Sequence, residues 1–544
     1  MLLAGLAEGF RQSLGYFPAL GLEEWSFQHY REILAEPIFW QSLTFSLKFS
    51  LISALCSVIL GLGLSVMLLA YKPTPSYWLS LPIAIPHIVI AFMFRAVFSQ
   101  IGKFSRLAGN LKIIGAAGDF PLLVQDPAGL GIIFAYILKQ APYLMAVTYA
   151  VIRRLDSHYF DLARSLGAKP WTILRKITLP LARPTLFTAF IILLAFDFGA
   201  YELPFLLGPT LPRALPWQVQ IAFNETDLSR RPYAMAYTML LVFFALLLLA
   251  LAFISYKLLF RQSLRLEEEQ GGTAQNLDSA LSRPAAGIGR KIYYVLALAF
   301  TFLGLYMLIG YSLFGRWPWP DLQAQSFSTH SFQSLFKGEN LSILGYSLVF
   351  SLLAGILACL FSLPVARFLA YRKSKFNNFL RLLFALPLLI PSTAYYIGLD
   401  GLFLQLGLAD TEFAVMLGHI ITILPYTVFT LSAVWKGFAG YYSEAAASLG
   451  AKPWQIMRRV DLPLLAPSIM SVIGLGFNIS FGQYFLTLML GGGRVKTFAL
   501  VLIPYMESAN RRLSAAASLV FIFICGSIYH LGQILLSLRK EWKI

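Results

Sequence analysis

Two carboxylates stand where acidic side chains are rare. Asp197 lies midway along the apolar run LLAFDFGAYEL, and Glu202 follows nearer its end. An ionisable side chain inside a membrane-length segment marks a substrate, ion or proton path unless a neighbour pairs with it. Lys139 and Arg95 are the basic residues placed to do so. Asn478, Gln483 and His419 are the corresponding polar candidates further along the chain, whereas Asp400 and Lys48 sit near the ends of apolar runs and are expected to snorkel to the interface. Enzymatic chemistry finds no support. The sequence has no G-x-S-x-G, no H-E-x-x-H and no paired acidic motif at the membrane face. The six histidines lack ligand spacing, so neither a metal nor another cofactor is expected. GAKPW lacks the first glycine and the Ser or Thr of a nucleotide-binding loop, so this chain is not expected to hydrolyse ATP.

The segments that position these side chains are hydrophobic enough to span a bilayer. Of 544 residues, 58% are hydrophobic and only 13% charged, far from the charged surface of a soluble protein. About 20 apolar residues cross the hydrocarbon layer. Spans are therefore expected near 43–70, 77–101, 128–152, 182–208 and 234–260, then near 292–315, 341–370, 380–405, 411–436, 465–490 and 515–537. The polar stretch between the two sets reads as a linker at 263–290, dividing the chain into halves 1–262 and 291–544. The net charge of +17 resides in loops and helix ends, which argues for membrane orientation and against nucleic-acid binding. One alternating topology gathers Arg153–Arg183, Lys436–Arg459, Tyr371–Lys375, Arg261–Arg265 and the C-terminal cluster on the cytoplasmic side. The three cysteines lie inside apolar runs and read as packing residues.

The halves are copies of one another. SLGAKPW occurs at Ser165–Trp171 and again at Ser448–Trp454, an offset of 283. The same offset pairs Pro142-Tyr143 with Pro425-Tyr426, Leu179-Pro180 with Leu462-Pro463, and FGAY at 198–201 with FGQY at 481–484. It also sets Asp197 and Glu202 against Ser480 and Phe485, so the halves differ chemically there. Upstream the offset becomes 305, pairing SLTFSL at 42–47 with SLVFSL at 347–352, and Pro82 and Pro86 with Pro387 and Pro391. The difference of 22 places an insertion in the first half, around GNLKIIGAAGDFPLLVQDP. Such duplication implies two homologous helical bundles of about six spans each in an all-α polytopic membrane protein. The first half is expected to lack its opening span or to start beyond it, since only MLLAGLAEGF stands where the counterpart of 292–315 would be.

The repeated turn has a physical reading. Gly167 and Gly450 follow the amphipathic runs DLARSL and EAAASL, where a left-handed C-cap is wanted. Pro170 and Pro453 suit the first turn of a new helix, and Trp171 and Trp454 open its apolar face. The sequence therefore predicts a short helix, a tight turn and a second short helix lying on or below the cytoplasmic face, broken by Leu-Pro before the next span. A basic helix resting on anionic lipid would satisfy the same pattern.

This pattern resembles the EAA loop of binding-protein-dependent ABC importer permeases, which reads approximately E-A-A-x-x-x-G, about nine residues, then I-x-L-P. Glu444-Ala445-Ala446, Gly450 and Val460-Asp461-Leu462-Pro463 fit it. Asp161-Leu162-Ala163, Gly167 and Ile177-Thr178-Leu179-Pro180 fit with Asp for Glu and Leu for the first Ala. Two fused halves are similar to the ferric-iron and thiamine group. The resemblance implies that each loop docks on one of two ABC ATPase subunits through Asp161, Ala163, Gly167, Lys169, Trp171 and Arg175, and through Glu444, Ala445, Ala446, Gly450, Lys452, Trp454 and Arg458. It further implies a periplasmic solute-binding partner, location in a bacterial inner membrane, and alternating access for a small solute such as thiamine or ferric iron. Asp197, Glu202, Asn478 and Gln483 are the candidates for its path. The competing reading is a proton- or sodium-coupled secondary transporter, which would leave the paired loops unexplained.

Overall fold

A computed structural model describes residues 1–18, 21–71, 85–153, 162, 163, 165–260, 287–371, 375–507 and 510–538. Among them, nine helices are long and apolar enough to cross a membrane, or ten if a sharply bent pair counts as one span. In the first half α1 is Leu2–Ser13, α2 Gln28–Ala35, α3 Pro37–Tyr71, α4 His87–Phe98, α5 Lys103–Asn110 and α6 Leu130–Arg153. After the first repeated turn come α7 (Pro170–Ile173), α8 (Leu179–Gly199), α9 (Glu202–Leu207), α10 (Leu215–Phe223) and α11 (Arg231–Phe260). The second half opens with α12, Gly287–Leu313, which begins inside the stretch read as linker; 261–286 lie outside the described residues. It continues with α13 (His330–Leu335), α14 (Gly338–Tyr371), α15 (Lys375–Leu389), α16 (Ser392–Gln405) and α17 (Glu412–Ser448). Last come α18 (Pro453–Ile456), α19 (Leu462–Phe481), α20 (Phe485–Gly491), α21 (Phe498–Glu507) and α22 (Arg511–Leu538).

Helices in lipid gain nothing by burying leucine, so they associate where small side chains let backbones approach. The first half does this with a stripe on α3. Ser42, Ser46, Ser50, Ser53 and Ser57 recur every three or four positions, all are buried, and α6 packs along them. Gly61 extends the stripe, because a Cβ there would stand 3.1 Å from the Ala141 carbonyl. The second half repeats the device on α14 with Ser347, Ser351, Gly355, Ala358, Ser362 and Ala366, against α17 and α19.

Each half lends its opening helix to the other. α12 packs on α4 of the first half, and α1 packs on α16 of the second. At offset 305, Leu2–Ser13 is the counterpart of the end of α12, and the contact is backbone-close: a Cβ on Gly5 would lie 2.9 Å from the Leu399 nitrogen. Further ties cross between halves, including Arg231–Asp400 at 2.6 Å and Gln405 to Glu8 at 2.5 Å. Asp400 is thus held by an ion pair and does not snorkel as its position in the sequence suggested.

Three expected spans are broken. Where one helix is expected over 380–405, α15 and α16 meet at 103°. Pro391 lacks an N–H and biases the residue before it away from helix, so α15 stops at Leu389 and α16 restarts at Ser392 with Pro391 as its extended N-cap. Pro86 caps α4 in the same way. The expected spans 182–208 and 465–490 likewise end at Gly199 and Phe481, followed by the short helices α9 and α20.

The 22-residue insertion forms α5 and a following turn, and it grips the second half. Buried Arg106 donates to the carbonyls of Pro318 (2.6 Å), Asp321 (3.0 Å) and Trp317 (3.0 Å), while its plane lies over the Trp317 ring. Trp319 answers by donating its indole N–H to Ser105 at 3.0 Å.

Candidate functional site

The two repeated turns fold alike. Gly167 and Gly450 adopt φ of +78° and +84°, where a side chain on Cα is strained. In the second copy the Ala451 amide reaches back to the Ala446 carbonyl and the Gly450 amide to Ala447, the paired bonds of a Schellman cap. In the first, Ala168 reaches Ala163 in the same way. The expected pair of free-standing short helices is not what forms. In the second half the EAAAS run is the end of the 37-residue α17. After the turn, α18 passes through a π-turn at Met457–Asp461 straight into α19, and α7 runs through Leu174–Thr178 into α8. The Leu-Pro pair therefore does not break the helix. The wider π-turn just before Pro180 and Pro463 accommodates a residue that has no amide to donate and a ring that crowds the preceding turn.

In both copies the turn leads straight into a long span and is tipped with exposed apolar side chains. Leu166 and Leu449 are 79% and 88% exposed, and Trp171 and Trp454 are exposed beside them. Lys169, Arg175, Glu444, Ala445, Lys452 and Arg458 are exposed on the same hairpins, with Ala163 and Ala446 half-buried. Asp161 lies outside the described residues. The second hairpin has a polar brace: Ser443 donates to Asp461 at 2.7 Å, and Arg367 stands 3.8 Å from the other carboxylate oxygen. Position 178, equivalent to Asp461, is a threonine, so the brace was not part of the repeated pattern.

Symmetry-equivalent residues can approach each other only near the axis that relates them, and two pairs do so. Tyr201 and Tyr484 of the FGAY and FGQY segments stack with ring centroids 6.5 Å apart. Tyr143 and Tyr426 lie within electrostatic reach of each other. The first pair is buried, at 2% and 7% exposure, and is sealed further by Phe485, 4.5 Å from Tyr201. The second pair is open, at 43% and 38%. α8 runs from one hairpin to this first pair and spans about 30 Å at 1.5 Å per residue. The buried pair thus lies far from the hairpins along α8, and Tyr143 lines a cavity with Pro184, Thr188 and Tyr256 of its own half. Gly199 permits the close approach at the buried pair, since a Cβ on it would stand 2.9 Å from Pro391.

The polar candidates fall into separate clusters around this axis. Asp197 is fully buried and accepts hydrogen bonds from Ser53 (2.6 Å) and Gln140 (2.5 Å), with Ser57 behind Gln140. Neither basic residue suggested by the sequence is its partner. Lys139 donates to the Ile85 carbonyl, and Arg95 reaches the Met506 carbonyl at 3.4 Å. At the equivalent crossing of the second half, buried His419 bridges Ser480 (2.7 Å) and Thr487 (3.1 Å). Glu202 lies beside the closed tyrosine pair, within electrostatic reach of Tyr136 and Tyr396. Gln483 is half-buried in the FGQY break, and the buried amide oxygen of Asn478 has no hydrogen-bond partner among the described residues. The sequence reading missed the hydroxyl cluster of Tyr395, Tyr396 and Thr422, mutually 3.2 Å apart, which stands between the two axis pairs. Its only signal was a tyrosine doublet next to Pro391.

The duplicated architecture has a counterpart among known families. The family model described as "Binding-protein-dependent transport system inner membrane component" matches residues 58–264 and matches again at 358–539. The chain belongs to that family. Among its relatives, a protein named ABC transporter permease protein y4fN from Sinorhizobium fredii is 27% identical over 75% of this chain and 72% of its own length. The Escherichia coli inner membrane ABC transporter permease protein YnjC is 24% identical over 92% of this permease and 88% of itself. A protein named as the 2-aminoethylphosphonate transport system permease PhnV of Salmonella typhimurium is 28% identical; 92% of it aligns with only 45% of this chain. A bacterial alginate ABC transporter, solved with an alginate-bound periplasmic protein, resembles the permease at a TM-score of 0.39 and 18% identity, covering 47% of this chain and 88% of that one.

Proposed function

We propose that this permease is the membrane subunit of an ATP-driven importer, in which a separate ATPase supplies hydrolysis and a periplasmic binding protein delivers a small solute. The observation that carries the reading is the pair of glycine-capped turns with exposed Leu and Trp tips, each running directly into a following span and the second also continuous with the span before it. A helix pair locked by a left-handed glycine and rooted in transmembrane helices transmits displacement, and exposed aromatic and basic side chains offer anchors for a partner. Two ATPase copies would dock there from the cytoplasm, one at Ala163, Gly167, Lys169, Trp171 and Arg175 with Asp161 upstream, the other at Glu444–Ala446, Gly450, Lys452, Trp454 and Arg458. In that orientation the resting passage opens inward at Tyr143 and Tyr426 and is shut outward at Tyr201 and Tyr484. Asp197, Glu202, Asn478 and Gln483 flank this passage and are its candidate polar groups. Residues 1–262 and 291–544 act as the two halves in a bacterial inner membrane.

The fused architecture makes thiamine and ferric iron cargoes to test. The relatives named for 2-aminoethylphosphonate and molybdenum add a phosphonate and an oxyanion. A proton-coupled transporter would need Asp197, Glu202 and His419 to form a relay, yet Asp197 and His419 are each engaged within their own half. The test is to purify the tagged permease from its native membrane, identify what comes with it, and measure uptake during ATP depletion. Co-purification of an ATPase and a binding protein, with uptake stopping as ATP falls, is expected. Uptake that persists without ATP and follows a proton gradient would sink the reading.

A further inference from the structure

A cavity of about 340 Å³ lies between α6, α8 and α11, walled by Tyr143, Thr185, Thr188, Ile192 and Tyr256 among others. Its α8 side looks toward the other half. Thr185, Thr188, Ile192 and Gly199 fall on one face of that helix by their spacing, and the Cβ direction of Gly199 points at Pro391 of the second half. At Gly199 this face is covered; nearer the hairpin Thr188 and Ile192 on the same face are exposed. The cavity therefore sits beside the passage between the halves. Among the described residues no carboxylate, ammonium or guanidinium walls it. Lys139, one turn along α6 from Tyr143, is bonded to the Ile85 carbonyl and is not among the lining residues.

The walls offer aromatic rings and hydroxyls instead. The Tyr256 ring is stacked on Phe187 at 5.5 Å, and Phe187 packs on Phe190 in turn, so this ring is held in place before anything binds. Thr188 gives its proton to the Pro184 carbonyl at 2.9 Å, which leaves its oxygen as an acceptor. The Tyr143 hydroxyl, 43% exposed as a residue, has no hydrogen-bond partner among the described residues and is free to donate. We propose that this cavity binds a small organic molecule with a flat ring and a hydrogen-bonding edge, held by the rings of Tyr143 and Tyr256 and the oxygens of Tyr143 and Thr188, without ion pairing. Its volume lies at the small end of ligand pockets. A compact oxyanion would be desolvated there with no counter-charge to offset the cost. That the molecule is cargo on its way inward rests on the importer reading; that the cavity binds it does not.

The test is protection of a single cysteine. Cys56, Cys359 and Cys525 are replaced by serine or alanine, and Ile192→Cys is introduced in the full chain in nanodiscs. It is labelled with membrane-impermeant methanethiosulfonate ethylsulfonate, with and without thiamine as the flat-ringed probe. The reagent should react, and thiamine should slow it about threefold or more, equally at low and high salt because no ion pair is involved. 2-Aminoethylphosphonate and molybdate, which have no ring, should leave the rate unchanged. Tyr256→Leu should weaken the protection about fivefold, the scale of one lost ring contact, and Tyr256→Phe should keep it. Absence of protection by thiamine, equal protection by the anions, protection that fades with salt, or indifference to Tyr256→Leu would overturn the proposal. So would labelling by a lipid-soluble maleimide alone, which would open the cavity to the bilayer and not to the passage. Labelling needs no ATPase, so protection in a permease whose uptake ignores ATP would discard the importer reading and leave this one standing.

Discussion

Gly167 and Gly450 show how one residue can matter without touching anything. A Cβ at either would meet no atom within 4 Å, so the constraint is the positive φ alone. Alanine there costs about 1 kcal/mol of backbone strain, and asparagine, which tolerates this region, costs less. Gly450→Ala is therefore expected to lower ATP-driven uptake with the protein still assembled, and Gly450→Asn to retain most of it; equal loss in both would show that the side chain, and not the turn, is at fault. Asp197 is the opposite case, defined by its contacts. Asp197→Leu strands the Ser53 and Gln140 donors and should destabilise the fold by about 2 kcal/mol or more, read as a lower Tm in detergent. Asp197→Asn should lie close to wild type in Tm. If Asp197→Asn kept its Tm and lost transport, the carboxylate would belong to the passage.

At the scale of elements, the braced hairpin invites a direct comparison with its copy, which has Thr178 at the position of Asp461. Asp461→Ala removes the acceptor of Ser443 and the ionic partner of Arg367, so amide exchange should rise over 443–461 and stay unchanged over 170–178. Hydrogen-exchange mass spectrometry decides it. The positions of the helices were legible because apolar runs of membrane length have few alternatives, and the offset of 283 aligned the two copies without any structure. Hydropathy is blind to direction, however. It could not show that α15 and α16 meet at 103°, although Pro391 held the cause in plain view. Nor could it show that π-turns carry both hairpins through their Leu-Pro pairs. The partners of Asp197 escaped for a related reason: serines at helical spacing read as packing residues, and only geometry shows one of them donating to a carboxyl. The change of offset located the insertion, but what Arg106 grips lies more than 200 positions away.

For the whole molecule, the stacked Tyr201–Tyr484 pair is the natural place to lock the closed passage. A double variant with Tyr201→Cys and Tyr484→Cys, in a background lacking the native cysteines, should cross-link with a short bifunctional reagent in the resting state and lose transport until reduced. Failure to cross-link would remove these residues from the axis. Arg106→Ala, which strands three carbonyls between the halves, should lower Tm without altering which proteins co-purify. The exchanged helices have a further consequence. Since α1 lies on α16 and α12 on α4, neither half is finished until it meets the other, and a relative such as PhnV, which aligns with under half of this chain, shows that single halves exist as separate proteins. Free halves could pair with themselves, giving an assembly with two copies of Asp197 or two of Ser480 at the equivalent crossing. Joining them in one polypeptide fixes the pairing at synthesis: every copy made joins two unlike halves, and no sorting step is required.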